Sequence, residues 1–508
     1  LIATDEKERQ MQRTKLGLFS IGLEAYWPQF EGLKERLVSY SQFVSQKLES
    51  MGAEVVNADM VDDYSTAKRA GELFRREDVD IAVCFVSTYA TSSSVLPVVQ
   101  RLGRPVLILN LQPTAQLDYL RTGTGEWLAN CQACCVPEIA CAFERCGIEF
   151  HTVTGLLGLE SGTPGALADE RTCDHPAAKR VWREVREWFD AVSVQRRLSQ
   201  SRIGFLGHTY PGMLDMYSDF TQISGAFGVH IEVLEMEDLE ACVESATPGL
   251  IEAKEREFRE FFAIAEANPN DPISLPPDEE SFSRAVRVSV GLDLLVKRFD
   301  LNGLSYYYRS IEGKPFSEFS SAMIPGLSLL TARGVPCSGE GDLKNCIAMK
   351  AMDVLGKGGS FTELYAMDFE ESFILMGHDG PFHLEIAADK PVLRRLATFH
   401  GKTGSGLSIE AKVKQGPITI FGLTQLADGR MKMLISEGWS LPGDTLRIGN
   451  TNSRLRFTGS QDDDFDVATW MNAWVAEGPT HHVALGVGHC ANSLEKLGRL
   501  LRIPTVRL

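Results

Sequence analysis

Basic residues are in the minority. The 508 residues carry 51 lysines and arginines against 68 acids, a net charge of −17. A surface of that sign repels phosphate backbones, and no Lys/Arg-rich arm offsets it, which argues against nucleic acid as a partner. Long apolar runs are missing too. No stretch of about 18 consecutive apolar residues occurs, so no membrane-spanning helix is expected. The opening stretch LIATDEKERQMQRTK is charged and lacks the apolar segment of a signal peptide. The 11 cysteines are odd in number and follow no framework spacing. Cys131 and Cys134 form a C-x-x-C with no second pair to complete a zinc site, so reduced thiols in a cytoplasmic protein are the expectation. H-E-x-x-H, Walker A, G-x-G-x-x-G and G-x-S-x-G are all absent, which weighs against the commonest hydrolase, nucleotidase and dehydrogenase chemistries. GFLGHTYPG after a strand is the one trace of a dinucleotide site, and it lacks the fingerprint.

What is present is alternation of strand and helix. LGLFSIGL (16–23), EVVNADMV, DIAVCFVS and PVLILNLQ read as buried strands separated by helical stretches, with 36–52 and 176–200 the clearest helices. Such alternation predicts βαβ units and a parallel sheet. A second α/β pattern starts at RIGFLG (202–207) and runs through HIEVLEM and GLSYYY. After about residue 358, SFILMG, GLSIEAKVKQ, PITIFGLTQL and MKMLISEGWS follow closely with turn residues such as Asp428–Gly429 between them, so an antiparallel sheet or barrel without intervening helices is expected. The predicted organisation is an α/β domain over 1–200, a second over 201–357 and a β-rich domain over 358–508. At about 150 residues per domain the length suits three.

Candidate chemistry falls in the last third. CSGEGDLKN (337–345) sets Glu340 and Asp342 among glycines before a helix; Asp342 suits the N-cap, and the glycines let another group approach Glu340 closely. TELYAMDFEE places Glu363, Asp368, Glu370 and Glu371 in one stretch, most of them expected on a solvated face. Histidines number only ten, yet His378 and His383 share GHDGPFH and His481, His482 and His489 share HHVALGVGH. Two adjacent histidines on a strand cannot both face inward; the second must face water, a metal or a substrate. Carboxylates with imidazoles suit a divalent ion such as Mn²⁺, Mg²⁺, Co²⁺ or Zn²⁺.

In this order and spacing, over about residues 325–490, GEGDLK, GGSFTELYAMDFE, ILMGHDG, QGPITIFGLTQLADGRMKMLISEG and GPTHHVAL resemble the L-arabinose isomerase and L-fucose isomerase family. The resemblance implies two Rossmann-like α/β domains followed by a C-terminal antiparallel β-barrel-like domain. It implies a trimer or hexamer with the active site at subunit interfaces, and Mn²⁺ or another divalent cation such as Co²⁺ or Mg²⁺. Carried over by motif, the metal residues are Glu340, Glu363, His378 and His482, with Glu340 and Glu363 also the proton-transfer pair; whether His383 or His481 replaces an assigned histidine stays open. The implied reaction interconverts an aldose and its ketose through an enediol. The earlier segments match more faintly: GLEAYW keeps Tyr26, LNLQP supplies Gln112, and NCQACCVPE supplies Gln132 but has Cys134 where the family has a histidine. With Met213, and Trp27 as a further wall residue, these are the expected substrate contacts. Because these positions depart from the arabinose enzymes, L-arabinose, L-fucose or a related sugar all stay open. The alternative is a non-catalytic sugar-binding protein on the same two-lobed scaffold.

Overall fold

The structure is a computed structural model that describes residues 13–309, 315–396, 406–459 and 463–508. The chain divides into two compact units, Leu1–Arg196 and Arg197–Leu508. In the first, β1 (Lys15–Ile21), β2 (Glu54–Val61), β3 (Ile81–Val86), β4 (Val106–Gln112) and β5 (Phe150–Leu156) form a parallel sheet in the order β2-β1-β3-β4-β5. IAVCFV of β3 is buried at every position, as a strand covered by helices on both faces must be. Phe74, on the helix Tyr64–Arg76, and Phe143, on the helix Gln132–Arg145, are buried in the core against it. That order is the doubly wound pattern expected from the alternation.

The second unit contains β6 (Arg202–Gly207), β7 (His230–Leu234), β8 (Ala263–Ile264), β9 (Ser274–Leu275), β10 (Gly303–Tyr307) and β11 (Cys337–Ser338). It continues with β12 (Gly358–Asp368), β13 (Phe373–His378), β14 (Val392–Leu396), β15 (Gly406–Glu410) and β16 (Gly416–Gln425). Its last strands are β17 (Met431–Ser440), β18 (Thr451–Arg456), β19 (His482–Val487) and β20 (Thr505–Arg507). Strands β11-β10-β6-β7 make a second parallel sheet. Strands β16-β19-β12-β13-β18-β17 run antiparallel, and β17 pairs back onto β16 from Gly416↔Ser440 to Gln425↔Met431, closing a six-stranded barrel. The short β8, β9, β14 and β15 form a small separate sheet. Leu206 and Leu304 of the parallel sheet share one core with Ile374, Ile420 and Leu485 of the barrel.

Helices Val467–Ala476 and Ala491–Leu501 interrupt the run of barrel strands that the sequence texture suggested. A ten-residue apolar stretch such as VATWMNAWVA carries no periodicity that separates helix from strand. Its Trp474 is fully buried and stacks on Trp470 at 5.4 Å, which stacks on Phe457 at 4.2 Å. Trp474→Ala should therefore lower the unfolding free energy by about 3–5 kcal/mol, read from the denaturant midpoint at unchanged m-value. Among the described residues no helix is long and apolar enough to cross a membrane.

Candidate active site

Glu340 sits on the bend between β11 and the helix Leu343–Val354, with φ at 61°, a left-handed conformation that a non-glycine residue adopts only when its surroundings enforce it. Those surroundings are visible. The Glu340 carbonyl accepts from Tyr210 N at 2.8 Å, and Gly341 N donates to the Tyr306 carbonyl at 2.9 Å. A Cβ at Gly339 would lie 2.9 Å from the Phe361 ring, and one at Gly341 would lie 2.5 Å from the His208 carbonyl oxygen. The groups that crowd these glycines are thus protein: they wedge the bend into a shape that presents the Glu340 side chain.

Strand register supplies the rest. Glu363 on β12 pairs with His482 on β19 and with Gly377 on β13, one residue before His378. Phe361, two residues earlier on the same face of β12, is fully buried and its ring centre lies 4.3 Å from those of both His378 and His482. The two imidazoles are thereby set Nε2 to Nε2 at 3.2 Å. Glu340 Oε2 is 3.7 Å from His482 Nε2, and Glu363 Oε1 is 3.9 Å from His378 Nε2. The four side chains nominated from the motifs are brought together. Glu340, His378 and His482 offer donor atoms within 4.8 Å of one another, and so do Glu363, His481 and His482. A cavity lined by Tyr306, Tyr307, Tyr308, Glu340 and His378 adjoins the cluster.

Each histidine has an aspartate at Nδ1. His482 Nδ1 is 3.0 Å from Asp342 Oδ2, while Asp342 Oδ1 accepts from Asn345 N and caps the helix, so one carboxylate performs both tasks. Burial pushes the His482 imidazole below its usual value despite Asp342. A neutral ring with its proton on Nδ1, donated to Asp342, leaves the Nε2 lone pair facing the cluster, 3.2 Å from His378 Nε2. His378 Nδ1 lies 3.1 Å from Asp379 Oδ1 but also 2.7 Å from the Gly380 N–H. Burial pulls His378 down, and Asp379, then Glu363 and Glu340, outweigh it and raise it. His481 Nδ1 is 2.6 Å from Asp215 Oδ2. Burial lowers that imidazole as well, but Asp215 and Glu340 overcome it and push it up to about 10. Asp215 is raised by burial and more than compensated by the His481 hydrogen bonds, which hold it well below the usual carboxylate range.

The donor set fits a hard-to-borderline divalent ion: two carboxylates and two imidazoles converge, and carboxylate-backed histidines are the arrangement that fixes a ligating tautomer. His378 fits on one condition. With Gly380 N–H on its Nδ1, its proton sits on Nε2; ligation requires that proton to move to Nδ1, where Asp379 Oδ1 stands ready to accept it.

His383 is outside both donor groups, its backbone N–H donating to Ser360 Oγ. Glu370 and Glu371 are exposed on the turn after β12, their N–H groups on Asp368 Oδ1. Met213 is half-buried in the segment after β6. Tyr26, Gln112 and Gln132 belong to the first unit. Gln112 Nε2 donates to the Thr114 carbonyl at 2.6 Å, and the buried Gln132 Nε2 donates to the carbonyls of Ser87 and Ala129. Trp27 donates from Nε1 to Asp62 at 2.8 Å. Sequence reasoning missed Phe361, Asp379 and Asp215. HDG in ILMGHDG was the available signal for Asp379; Phe361 reads as an ordinary core residue, and Asp215 lies 125 residues before Glu340 with no motif of its own.

Residues 390–508 match the family model described as L-fucose isomerase, C-terminal domain. The relatives that the chain matches are named as sugar isomerases, that is, intramolecular oxidoreductases, and with the family model they support the resemblance to the L-arabinose/L-fucose isomerase family. The sulfoquinovose isomerase of Priestia aryabhattai is 23% identical over 369 residues, covering 70% of this chain and 77% of that protein. The L-arabinose isomerase of Nocardioides sp. is 21% identical over 429 residues, 82% of this chain and 78% of that one. An ABC-transporter periplasmic solute-binding protein from Actinobacillus succinogenes 130z with bound D-allose covers 64% of this chain and 78% of its own at 11% identity, with a TM-score of 0.17, which carries no argument.

Proposed function

We propose that the protein is a metal-dependent aldose–ketose isomerase acting through a cis-enediol on L-arabinose, L-fucose or a related sugar. What supports this reading is that Glu340, His378 and His482 form one donor group, that Glu363 Oε1 lies 3.9 Å from His378 Nε2, and that both histidines have an aspartate at Nδ1. The reaction relocates a proton from C2 of the aldose to C1. A carboxylate beside the C1–C2 unit removes it and a carboxyl group returns it, and two glutamates on one cluster can divide that work. Glu340 is held by its strained bend and Glu363 by its strand pairs, so the backbone positions that carry the two carboxylates are set before the sugar arrives. His378 and His482, locked by Phe361 and their aspartates, would complete the ligand set with both glutamates. A bound divalent ion, Mn²⁺ in the first instance, supplies Lewis-acid stabilisation for charge developing on the sugar oxygens.

The same reading gives the sugar's far end to Tyr26, Gln112, Gln132 and Met213, and assembles the protein as a trimer or hexamer with active sites at subunit interfaces. The test is a panel of aldoses. Mn²⁺-loaded protein is incubated with L-arabinose, L-fucose and sulfoquinovose, and ketose is measured. Ketose from at least one is expected; none from any of them, at saturating Mn²⁺, contradicts the reading.

A further inference from the structure

His481 is adjacent to His482 but differently placed. The His482 side chain is fully buried, whereas that of His481 is 34% exposed, on the solvent side of the cluster. Its Nε2 lies 3.9 Å from Glu340 Oε2. Asp215 Oδ2 holds it twice, at the ring Nδ1 at 2.6 Å and at the backbone N–H at 3.0 Å. A ring pinned at one nitrogen and at its own main chain can turn only its other nitrogen towards a ligand.

Asp215 is itself built in. It lies between β6 and the helix Phe220–Phe227, in a segment anchored at one end on the Glu340 bend and at the other on the helix Leu343–Val354 that follows it. On one side Tyr210 N donates to the Glu340 carbonyl at 2.8 Å and Thr209 Oγ1 to the Gly341 carbonyl at 3.3 Å. On the other, the buried Lys344 donates from Nζ to the Tyr217 carbonyl at 3.3 Å and to Ser218 Oγ at 3.0 Å. The segment that carries Asp215 is therefore fixed to the same bend that presents Glu340, and His481 is fixed to that segment.

We propose that His481 is a substrate-contacting residue whose Nε2 hydrogen-bonds a hydroxyl of the aldose at the open edge of the cluster, with Asp215 as its positioning residue. This rests on the isomerase reading. A hydroxyl both donates and accepts, so the contact forms with either imidazole or imidazolium. The division of labour is spatial: Glu340, His378 and His482 hold the buried side, and His481 grips the sugar from the solvent side, where the half-buried Glu363 also opens.

The test uses the full-length Mn²⁺-loaded protein and its His481→Ala, Asp215→Leu and Asp215→Asn variants. Ketose formation is measured on L-arabinose, L-fucose and sulfoquinovose, and Mn²⁺ affinity by calorimetry. His481→Ala should lower kcat/KM about 10- to 100-fold, chiefly through KM, the loss of a hydrogen bond to an ionisable group, with Mn²⁺ affinity unchanged. Asp215→Leu should follow it, and Asp215→Asn, whose amide oxygen still accepts from Nδ1–H, should recover most of the loss. An unchanged kcat/KM in His481→Ala overturns the proposal while leaving the isomerase reading intact. Mn²⁺ affinity falling in step with turnover also overturns it, making His481 a ligand. A parent protein that binds Mn²⁺ and converts none of the three sugars overturns the isomerase reading and this inference with it.

Discussion

Glu340→Gln should abolish ketose formation and leave the second unit folded. The substitution keeps the side chain's length and shape, so the bend survives. Its φ of 61° is enforced by the contacts of Gly339 and Gly341 and by the Tyr210–Glu340 and Gly341–Tyr306 backbone bonds, none of which involves the Glu340 carboxylate. What is lost is a base. A positioned acid–base group is worth about 10²- to 10⁴-fold in rate, and removing it should reduce turnover on that scale at saturating sugar and Mn²⁺. Glu363→Gln should behave alike. If, as proposed, the two glutamates act on one proton relocation, the double variant should be no slower than the slower single one. Glu370→Gln, on the exposed turn after β12, is the control and should turn over normally. Near-normal turnover in Glu340→Gln would remove the proton-transfer role.

Asp342 separates two functions in one side chain. Its Oδ1 caps the helix Leu343–Val354 through Asn345 N, and its Oδ2 holds His482 Nδ1. Asparagine caps a helix as well as aspartate does, so Asp342→Asn should preserve stability. Turning its oxygen to Asn345 N leaves its NH₂ facing His482 Nδ1, which selects the tautomer with the proton on Nε2. That removes the lone pair an ion needs, and Mn²⁺ affinity should fall about 10- to 100-fold, as for other carboxylates that orient a ligating histidine. Asp342→Ala should lose affinity similarly and in addition cost about 1 kcal/mol of stability for the missing cap. Calorimetric Mn²⁺ titration beside denaturant unfolding distinguishes the two. Equal Mn²⁺ affinity in Asp342→Asn and the parent would mean that Asp342 is a cap only.

Much of this was legible in the sequence, for reasons that can be stated. Apolar strand runs such as IAVCFV announce a covered parallel sheet, and hairpin-forming stretches around Asp428–Gly429 announce the antiparallel barrel. Asp342 is readable as a cap because capping is local. Glu340, Glu363, His378 and His482 are readable as a group through the resemblance of their ordered motifs to the isomerase family. The rest depends on register and long-range packing. Nothing local says that Phe361 will sit under two imidazoles from β13 and β19, or that Asp215 will meet His481 across 266 residues. The glycines beside Glu340 show the limit from the other direction. Their sequence context suggests room for an approaching group, and the structure fills that room with Phe361 and the His208–Thr209 backbone.

Under the proposed function this cluster binds one divalent ion and the bound form is the isomerase. This is tested by titrating EDTA-stripped protein with Mn²⁺ while following binding and ketose formation together on whichever of the three aldoses the loaded protein converts. The prediction is no turnover in the stripped protein and turnover that rises with Mn²⁺ bound, saturating at one ion per chain. Full turnover in the stripped protein, or Mn²⁺ binding that brings no turnover, would contradict it.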